Sequence, residues 1–167
     1  ADRDRKPSRD QVPWAGEFAG KYLTSAVQIL RLTNDPTLKE YIHSFVTNFV
    51  SHQDADGYLG PWPKRYRLAG KTPNVKQSSG EARTHPTWDA WGHYHAMLGL
   101  ILWYEDTKDN AVLKSVEKMA GLFVKKFMGK KKVRLVDTGS TEMNMAPVHV
   151  LCILFRLTKK KQYLDLA

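Results

Sequence analysis

The densest group of chemically useful side chains lies in residues 87–95, which read TWDAWGHYH. On a helix, Trp88, Trp91 and His95 share one face, whereas Asp89 and His93 share a neighbouring face at four-residue spacing. A sugar stacks its C–H faces on aromatic rings, and its hydroxyl groups need donors and acceptors such as imidazole. The segment therefore predicts a sugar-binding helix. The alternative is a core helix whose tryptophans pack and whose histidines bond to loop carbonyls.

The same segment also raises the question of a metal site. His93 and His95 are two positions apart, and on a helix they point about 200° away from each other, so they do not chelate one ion. Residues 52–57 resemble a calcium loop, but aligning their glycine puts Pro63 where an acidic ligand is required. Cys152 is the single cysteine, which excludes a multi-cysteine metal site within the chain. We expect no metal and no cofactor in this segment.

Two loops offer further polar groups. Asp56 and the glycine after it predict a turn that reverses the chain and presents Tyr58. Glu142 and Asn144 lie in a segment that caps a predicted helix, where they are placed to reach a ligand. His149 follows in the apolar part of that helix and is expected to be a core histidine. These loops add binding candidates, but they assign no catalytic residue.

Helices must position these side chains, because apolar residues recur at three- and four-residue steps through most of the chain. The predicted helices span residues 17–32, 36–52, 88–105, 110–127 and 143–157, and a sixth begins near residue 162. Three times a helix ends in a threonine-centred polar turn, which predicts a repeat of antiparallel helical hairpins. We expect the long connections, 53–87 and 128–142, to build the binding face, with 71–83 as its mobile part.

The first helix opens with two glycines four residues apart, Gly16 and Gly20. A glycine inside a helix costs up to about 1 kcal/mol, so two of them suggest close helix approach or a ligand against the backbone. Glu17 lies between them. It is either a catalytic carboxylate or a complement to the helix dipole.

Composition limits the class of protein. Of the 167 residues, 42% are hydrophobic and 26% charged, which is typical of a globular chain. No apolar run reaches the roughly 18 residues that a membrane span needs, so we expect no membrane partner. The charged N-terminus lacks an apolar signal core, and secreted, periplasmic and cytoplasmic compartments all stay open.

The net charge of +9 would suit nucleic acid or an acidic polymer. The lysines, however, cluster at 125–132 and 159–161, where helix ends favour them and where they keep a surface soluble. No zinc-finger spacing, RNA-binding signature or recognition-helix pattern accompanies them. We do not expect a nucleic acid partner.

Four segments in order resemble the β-L-arabinofuranosidase-like glycosidases. They are residues 16–26 (GEFAGKYLTSA), 53–60 (QDADGYLG), 91–100 (WGHYHAMLGL) and 138–158. The resemblance implies an (α/α)6 barrel with a sugar pocket at its loop end and a histidine of the third helix on the sugar. Family members often have histidines where this chain has Glu17 and Lys21, so these two substitutions bear on which sugar the protein binds.

The resemblance also implies that this chain is incomplete. In the family, the acid/base glutamate, the nucleophilic cysteine and its zinc ligands lie in the later half of the barrel, and nothing here matches them. Zinc is implied only for a full-length protein. The expected fold is therefore all-α, with residues 1–167 as the N-terminal part of one catalytic barrel, roughly half of it. The expected partners are a carbohydrate substrate and either the remaining half of the barrel or a partner chain.

The resemblance and the residues together give the predicted substrate-binding set. It is Asp56, Tyr58, Trp88, Asp89, His93, His95, Glu142 and Asn144. Two other functions stay open at this point. One is a different enzyme on the same scaffold, such as an unsaturated glycuronyl hydrolase or a sugar epimerase. The other is a non-enzymatic helical-repeat protein that binds a partner through the same loops.

Overall fold

The computed structural model describes residues 3–4, 11–76 and 82–167. Helices dominate this part of the chain. They are α1 (Glu17–Thr33), α2 (Pro36–Ser51), α3 (Asp89–Thr107), α4 (Asn110–Phe127), α5 (Thr141–Asn144), α6 (Pro147–Thr158) and α7 (Lys161–Leu166). Two short strands, β1 (Lys71–Lys76) and β2 (Ala82–Pro86), pair in antiparallel register within the long connection before α3. The fold is all-α, and it is built from helical hairpins as the sequence predicts.

The first helix of each hairpin lies beside the first helix of the next. Helix α3 packs against α1 on one side and α6 on the other, and against its own hairpin partner α4. Near their N-terminal ends α1 and α3 are joined by Glu17 and Trp91, and near their C-terminal ends by Arg31 and Asp106. Helices α1 and α3 are therefore parallel. Their apolar faces close a core to which Leu23, Val27, Met97, Leu100 and Leu151 contribute, all of them buried.

The three hairpins share one turn geometry. In each, the last helical residue is a threonine whose hydroxyl donates to the carbonyl four residues back, at 2.8–2.9 Å. The residue after it is left-handed, and the backbone N–H two residues beyond the threonine donates to the same hydroxyl. The threonines are Thr33, Thr107 and Thr158, and the left-handed residues are Asn34, Lys108 and Lys159. This confirms the predicted repeat.

Two parts of the structure differ from the sequence prediction. The predicted fifth helix, 143–157, is wrong as one element, because α5 ends at Asn144 and α6 begins at Pro147. Proline has no N–H to donate within a helix, but it suits a first helical position. Residues 71–76 and 82–86 form strands, which the sequence did not predict. Residues 77–81, in the segment predicted to be mobile, lie outside the described residues.

The third turn lacks a cap that the first two have, which gives a stability prediction. Asp35 and Asp109 accept the first free N–H groups of α2 and α4, whereas Lys160 makes no such bond to α7. We expect Lys160→Asp to raise the free energy of unfolding by about 0.5–1 kcal/mol. Lys160 is exposed in its pair with the partly buried Glu117, and both variants compared below lose this pair, so its cost cancels between them. Chemical denaturation checks this, with Lys160→Ala as control. A Lys160→Asp variant no more stable than Lys160→Ala would contradict it.

Among the helices of the described residues, none combines the length and the apolar character that crossing a bilayer requires.

Candidate functional site

Side chains near the N-terminal ends of α1, α3 and α6 form a continuous strip. It consists of Lys21, Trp91, Tyr94, His95 and His149, and we call it the aromatic strip. The Lys21 ammonium lies 5.5 Å from the Trp91 ring centroid, and the Trp91 and His95 rings meet edge to face at 4.4 Å. Tyr94 lies 5.6 Å from Trp91, and its hydroxyl is 3.3 Å from Nδ1 of His149. The strip thus crosses three helices.

Glu17 lies beneath the α1 end of the aromatic strip, where it contacts Lys21 and Trp91. Its side chain is buried; Oε1 is 3.0 Å from Nζ of Lys21, and Oε2 accepts the indole N–H of Trp91. Both carboxylate oxygens are therefore occupied by neighbours within the protein. This geometry favours a positioning role for Glu17: it holds the lysine and the tryptophan in place.

His95 is the member of the strip with an unused polar atom. The residue is half-buried, and Nε2 is buried without a hydrogen-bond partner among the described residues. Burial lowers the pKa of His95, and the Lys21 charge lowers it further against a smaller opposing effect of Glu17. The imidazole is therefore uncharged at neutral pH. An uncharged ring beside aromatic faces can give or accept one hydrogen bond from a ligand.

A second cluster lies deeper and holds the loop at residues 53–68 against α3. The Tyr58 hydroxyl donates to both oxygens of Asp89 at 3.0 and 3.1 Å, and the Leu68 N–H donates to Asp89 Oδ2 at 2.8 Å. Nδ1 of His93 is 2.8 Å from the Asp89 carbonyl oxygen, and the Leu59 N–H donates to Nε2 at 3.3 Å. Burial, and then the Asp89 charge, raise the pKa of Tyr58 well above its ordinary value, which keeps this hydroxyl a donor. We call Tyr58, Asp89 and His93 the loop anchor.

Charged residues close the outer side of this loop. The Arg67 guanidinium lies 4.2 Å from the Tyr58 ring centroid and pairs with Asp54 and Asp56. Arg3 also pairs with Asp54 at 2.8 Å. Burial raises the pKa of Asp54, but the charges of Arg3 and Arg67 outweigh it, so the pKa is lowered overall. The Asp56 carboxylate additionally accepts the Tyr58 N–H at 3.1 Å, which forms the predicted turn.

The remaining predicted residues lie around these two clusters. Trp88 is half-buried and packs on Trp14, with ring centroids 5.7 Å apart. Asn144 is buried and donates to the carbonyls of Thr87 and Gly139, while Glu142 is exposed in α5. Of the eight predicted residues, the structure places His95 on the aromatic strip and Tyr58, Asp89 and His93 in the loop anchor. Sugar contact by any of the eight stays a prediction.

The sequence reasoning missed three members of the strip as site residues. Lys21 was noted as a substitution that bears on the sugar, but neither it nor Tyr94 was placed in the binding set. Lys21 is four residues after Glu17, a spacing that pairs charges on a helix. The prediction of a core position for His149 is wrong, because its side chain is exposed. The signal that could have found it is the buried face of α6, formed by Val150, Leu151 and Leu154, which leaves residue 149 off that face.

The described residues do not fit a zinc ion. Within residues 3–4, 11–76 and 82–167, no three His, Cys, Asp or Glu side chains come together in a way that could hold a metal. Cys152 is a free, half-buried thiol.

Comparison with known proteins identifies the family. The catalytic domain of β-L-arabinofuranosidases, glycoside hydrolase family 127 (GH127), matches residues 5–167. The chain belongs to this family. Two solved structures share its fold: a GH127 β-arabinofuranosidase with TM-score 0.71 and 20% identity, and a GH127 β-L-arabinofuranosidase from Geobacillus stearothermophilus with TM-score 0.65 and 16% identity. A search of curated proteins finds no match.

The two structural comparisons also show what share of a GH127 chain these residues correspond to. Each comparison covers 97% of this chain but only 25% and 24% of the two solved GH127 chains. The chain thus spans about a quarter of the length of the structures it matches.

Proposed function

We propose that this GH127 chain is the N-terminal part of an (α/α)6 barrel and that its aromatic strip forms one wall of a sugar pocket. The observation that carries the proposal is the uncharged imidazole of His95, with a buried and unpaired Nε2 between the Trp91 and Tyr94 rings. Rings offer stacking faces for sugar C–H groups, and the imidazole offers one hydrogen bond to a hydroxyl. The substrate proposed from the family is a β-L-arabinofuranoside.

The geometry favours His95 over His93 as the histidine that contacts the sugar. Both ring nitrogens of His93 are used by the protein itself, on the Asp89 carbonyl and the Leu59 N–H, and the side chain is fully buried. A ligand could reach it only by breaking the loop anchor. His95 is only partly buried, and its Nε2 has no hydrogen-bond partner among the described residues. We therefore assign the sugar contact to His95 and a positioning role to His93.

Apolar residues on the outside of α1 and α2 support a larger barrel. Phe18, Tyr22, Ile29, Leu32 and Tyr41 are 64%, 47%, 50%, 84% and 66% exposed. Exposed apolar residues grouped on two neighbouring helices often mark an interface. In the proposed full-length protein, further helices of the same barrel cover these residues.

The proposed contribution of this segment is to bind and orient the sugar. The acid/base and nucleophilic groups would come from the remaining barrel, since Glu17 has both oxygens occupied and Cys152 has no partner ligands in the described residues. Membership in GH127 favours a glycoside hydrolase over a sugar epimerase, a glycuronyl hydrolase or a non-enzymatic repeat protein.

The test is hydrolysis of an aryl β-L-arabinofuranoside by the full-length protein that contains this chain. We expect His95→Ala to lower kcat/KM by about tenfold, since a hydrogen bond between neutral groups is worth about 0.5–1.5 kcal/mol. The control is His43→Ala, which removes an exposed histidine on α2 and should leave the rate unchanged. A folded His95→Ala variant with wild-type kcat/KM would contradict the sugar contact. An inactive wild-type protein would contradict the proposed substrate.

A further inference from the structure

The charge of Lys21 points to the chemical class of the sugar. We infer that the sugar bound at the aromatic strip carries a carboxylate and that Lys21 selects it. This inference rests on the proposed sugar pocket, and it replaces the neutral β-L-arabinofuranoside proposed from the family with a related sugar acid.

The Lys21 ammonium is held in a fixed place. Oε1 of Glu17 lies 3.0 Å from Nζ, and the Glu17 carboxylate is itself fixed by the Trp91 indole. An ammonium has three N–H donors, and one carboxylate oxygen accepts one of them. Because the lysine side chain is 40% exposed, the other donors are open to a ligand.

Aromatic rings flank this ammonium. Nζ lies 5.7 Å from the Phe18 ring centroid and 5.5 Å from that of Trp91. Aromatic faces attract an ammonium and hold it beside the surface on which a sugar would stack. A pyranose or furanose stacked on Trp91 would therefore bring its substituents next to a positive charge.

Glu17 pairs with Lys21 but does not cancel its effect everywhere on the strip. At His95, Lys21 lowers the pKa more than Glu17 raises it. Glu17 is buried and each of its oxygens already has a partner, so it competes little for hydroxyl donors of a sugar. A carboxylate is attracted by the Lys21 charge and accepts a hydrogen bond in which both partners are charged, whereas with a neutral hydroxyl only the donor is charged.

The test uses two sugars that differ at one carbon. Methyl β-L-arabinofuranoside carries a hydroxymethyl group at C4, and its uronic acid carries a carboxylate there. Inhibition constants of both are measured with the full-length protein at low salt. We expect the acid to bind about tenfold more tightly or better. Lys21→Met should weaken the acid far more than the neutral sugar and so abolish this preference, and Lys21→Arg should keep part of it. Lys114→Met, which removes an exposed lysine on α4, is the matched control.

The outcomes separate this inference from the proposed pocket. If His95→Ala weakens both sugars but the wild-type protein shows no preference for the acid, the pocket stands and the inference is wrong. A preference that survives in Lys21→Met also overturns the inference. If neither sugar binds, or if His95→Ala changes neither constant, the pocket itself is wrong and the inference falls with it. Circular dichroism of each variant confirms that it is folded.

Discussion

Replacing Asp89 with alanine is expected to lower the free energy of unfolding by about 3–5 kcal/mol. The carboxylate is buried, and it accepts the Tyr58 hydroxyl and the Leu68 N–H. His93 Nδ1 lies 3.3 Å from the same carboxylate. Alanine leaves the Tyr58 hydroxyl and the Leu68 N–H without this acceptor, and each unsatisfied donor costs about 1–3 kcal/mol. Because a domain of this size has only about 5–15 kcal/mol of stability, this loss would leave little of the folded state.

Chemical denaturation followed by tryptophan fluorescence measures this loss. The matched control is Asp56→Ala, which removes an exposed carboxylate from the same loop and should cost about 1 kcal/mol or less. Asp89→Asn keeps one acceptor oxygen and should fall between the two. An Asp89→Ala variant within about 1 kcal/mol of wild type would show that the loop at 53–68 is held by packing alone.

The hairpin architecture could be predicted because its signals are local. Apolar residues recur with the helical period, and a threonine followed by polar residues marks each turn in the sequence. The spacing of Asp89 and His93 also predicted that they share a face. What they hold could not be predicted, because Tyr58 and Leu59 come from a loop more than 30 residues earlier in the chain. Only the packed structure brings that loop to α3.

The composition of the aromatic strip depends on tertiary packing in the same way. From the sequence, Lys21 was a substitution that bears on the choice of sugar, with no predicted contact, and His149 was a core residue. The parallel packing of α1 and α3 places Lys21 against Trp91, and Pro147 sets where α6 begins and hence which face His149 takes. The choice between His93 and His95 also needed the structure, because residue type alone cannot say which imidazole is already satisfied.

A second large loss of stability is expected from Gly20→Ala, at one of the two glycines at the start of α1. A Cβ at this position would lie 2.2 Å from the carbonyl carbon of His95 and 2.4 Å from the Ala96 nitrogen. These are backbone atoms of α3, so no side-chain rotation relieves the contact and the two helices must move apart. We expect a loss of about 3 kcal/mol in the free energy of unfolding, at the upper end of the range for overpacked cores.

Gly121→Ala provides the opposite control within the same protein. Gly121 lies in α4, and a Cβ there would meet nothing within 4 Å. Alanine favours the helix over glycine, so this variant should gain up to about 1 kcal/mol. Denaturation curves of the two variants should therefore move in opposite directions. Equal stabilities would contradict the close approach of α1 and α3.

The same Gly20 variant connects the packing to the proposed sugar pocket. Its added methyl group would press on the backbone of His95 itself, and separating α1 from α3 would also pull Glu17 and Lys21 away from Trp91. No polar group of the aromatic strip is removed, yet its geometry is lost. In the full-length protein we expect Gly20→Ala to weaken binding of the arabinofuranoside even under conditions where the variant is fully folded, whereas Gly121→Ala should bind like wild type. A folded Gly20→Ala protein with unchanged affinity would show that the sugar does not depend on contacts from both helices.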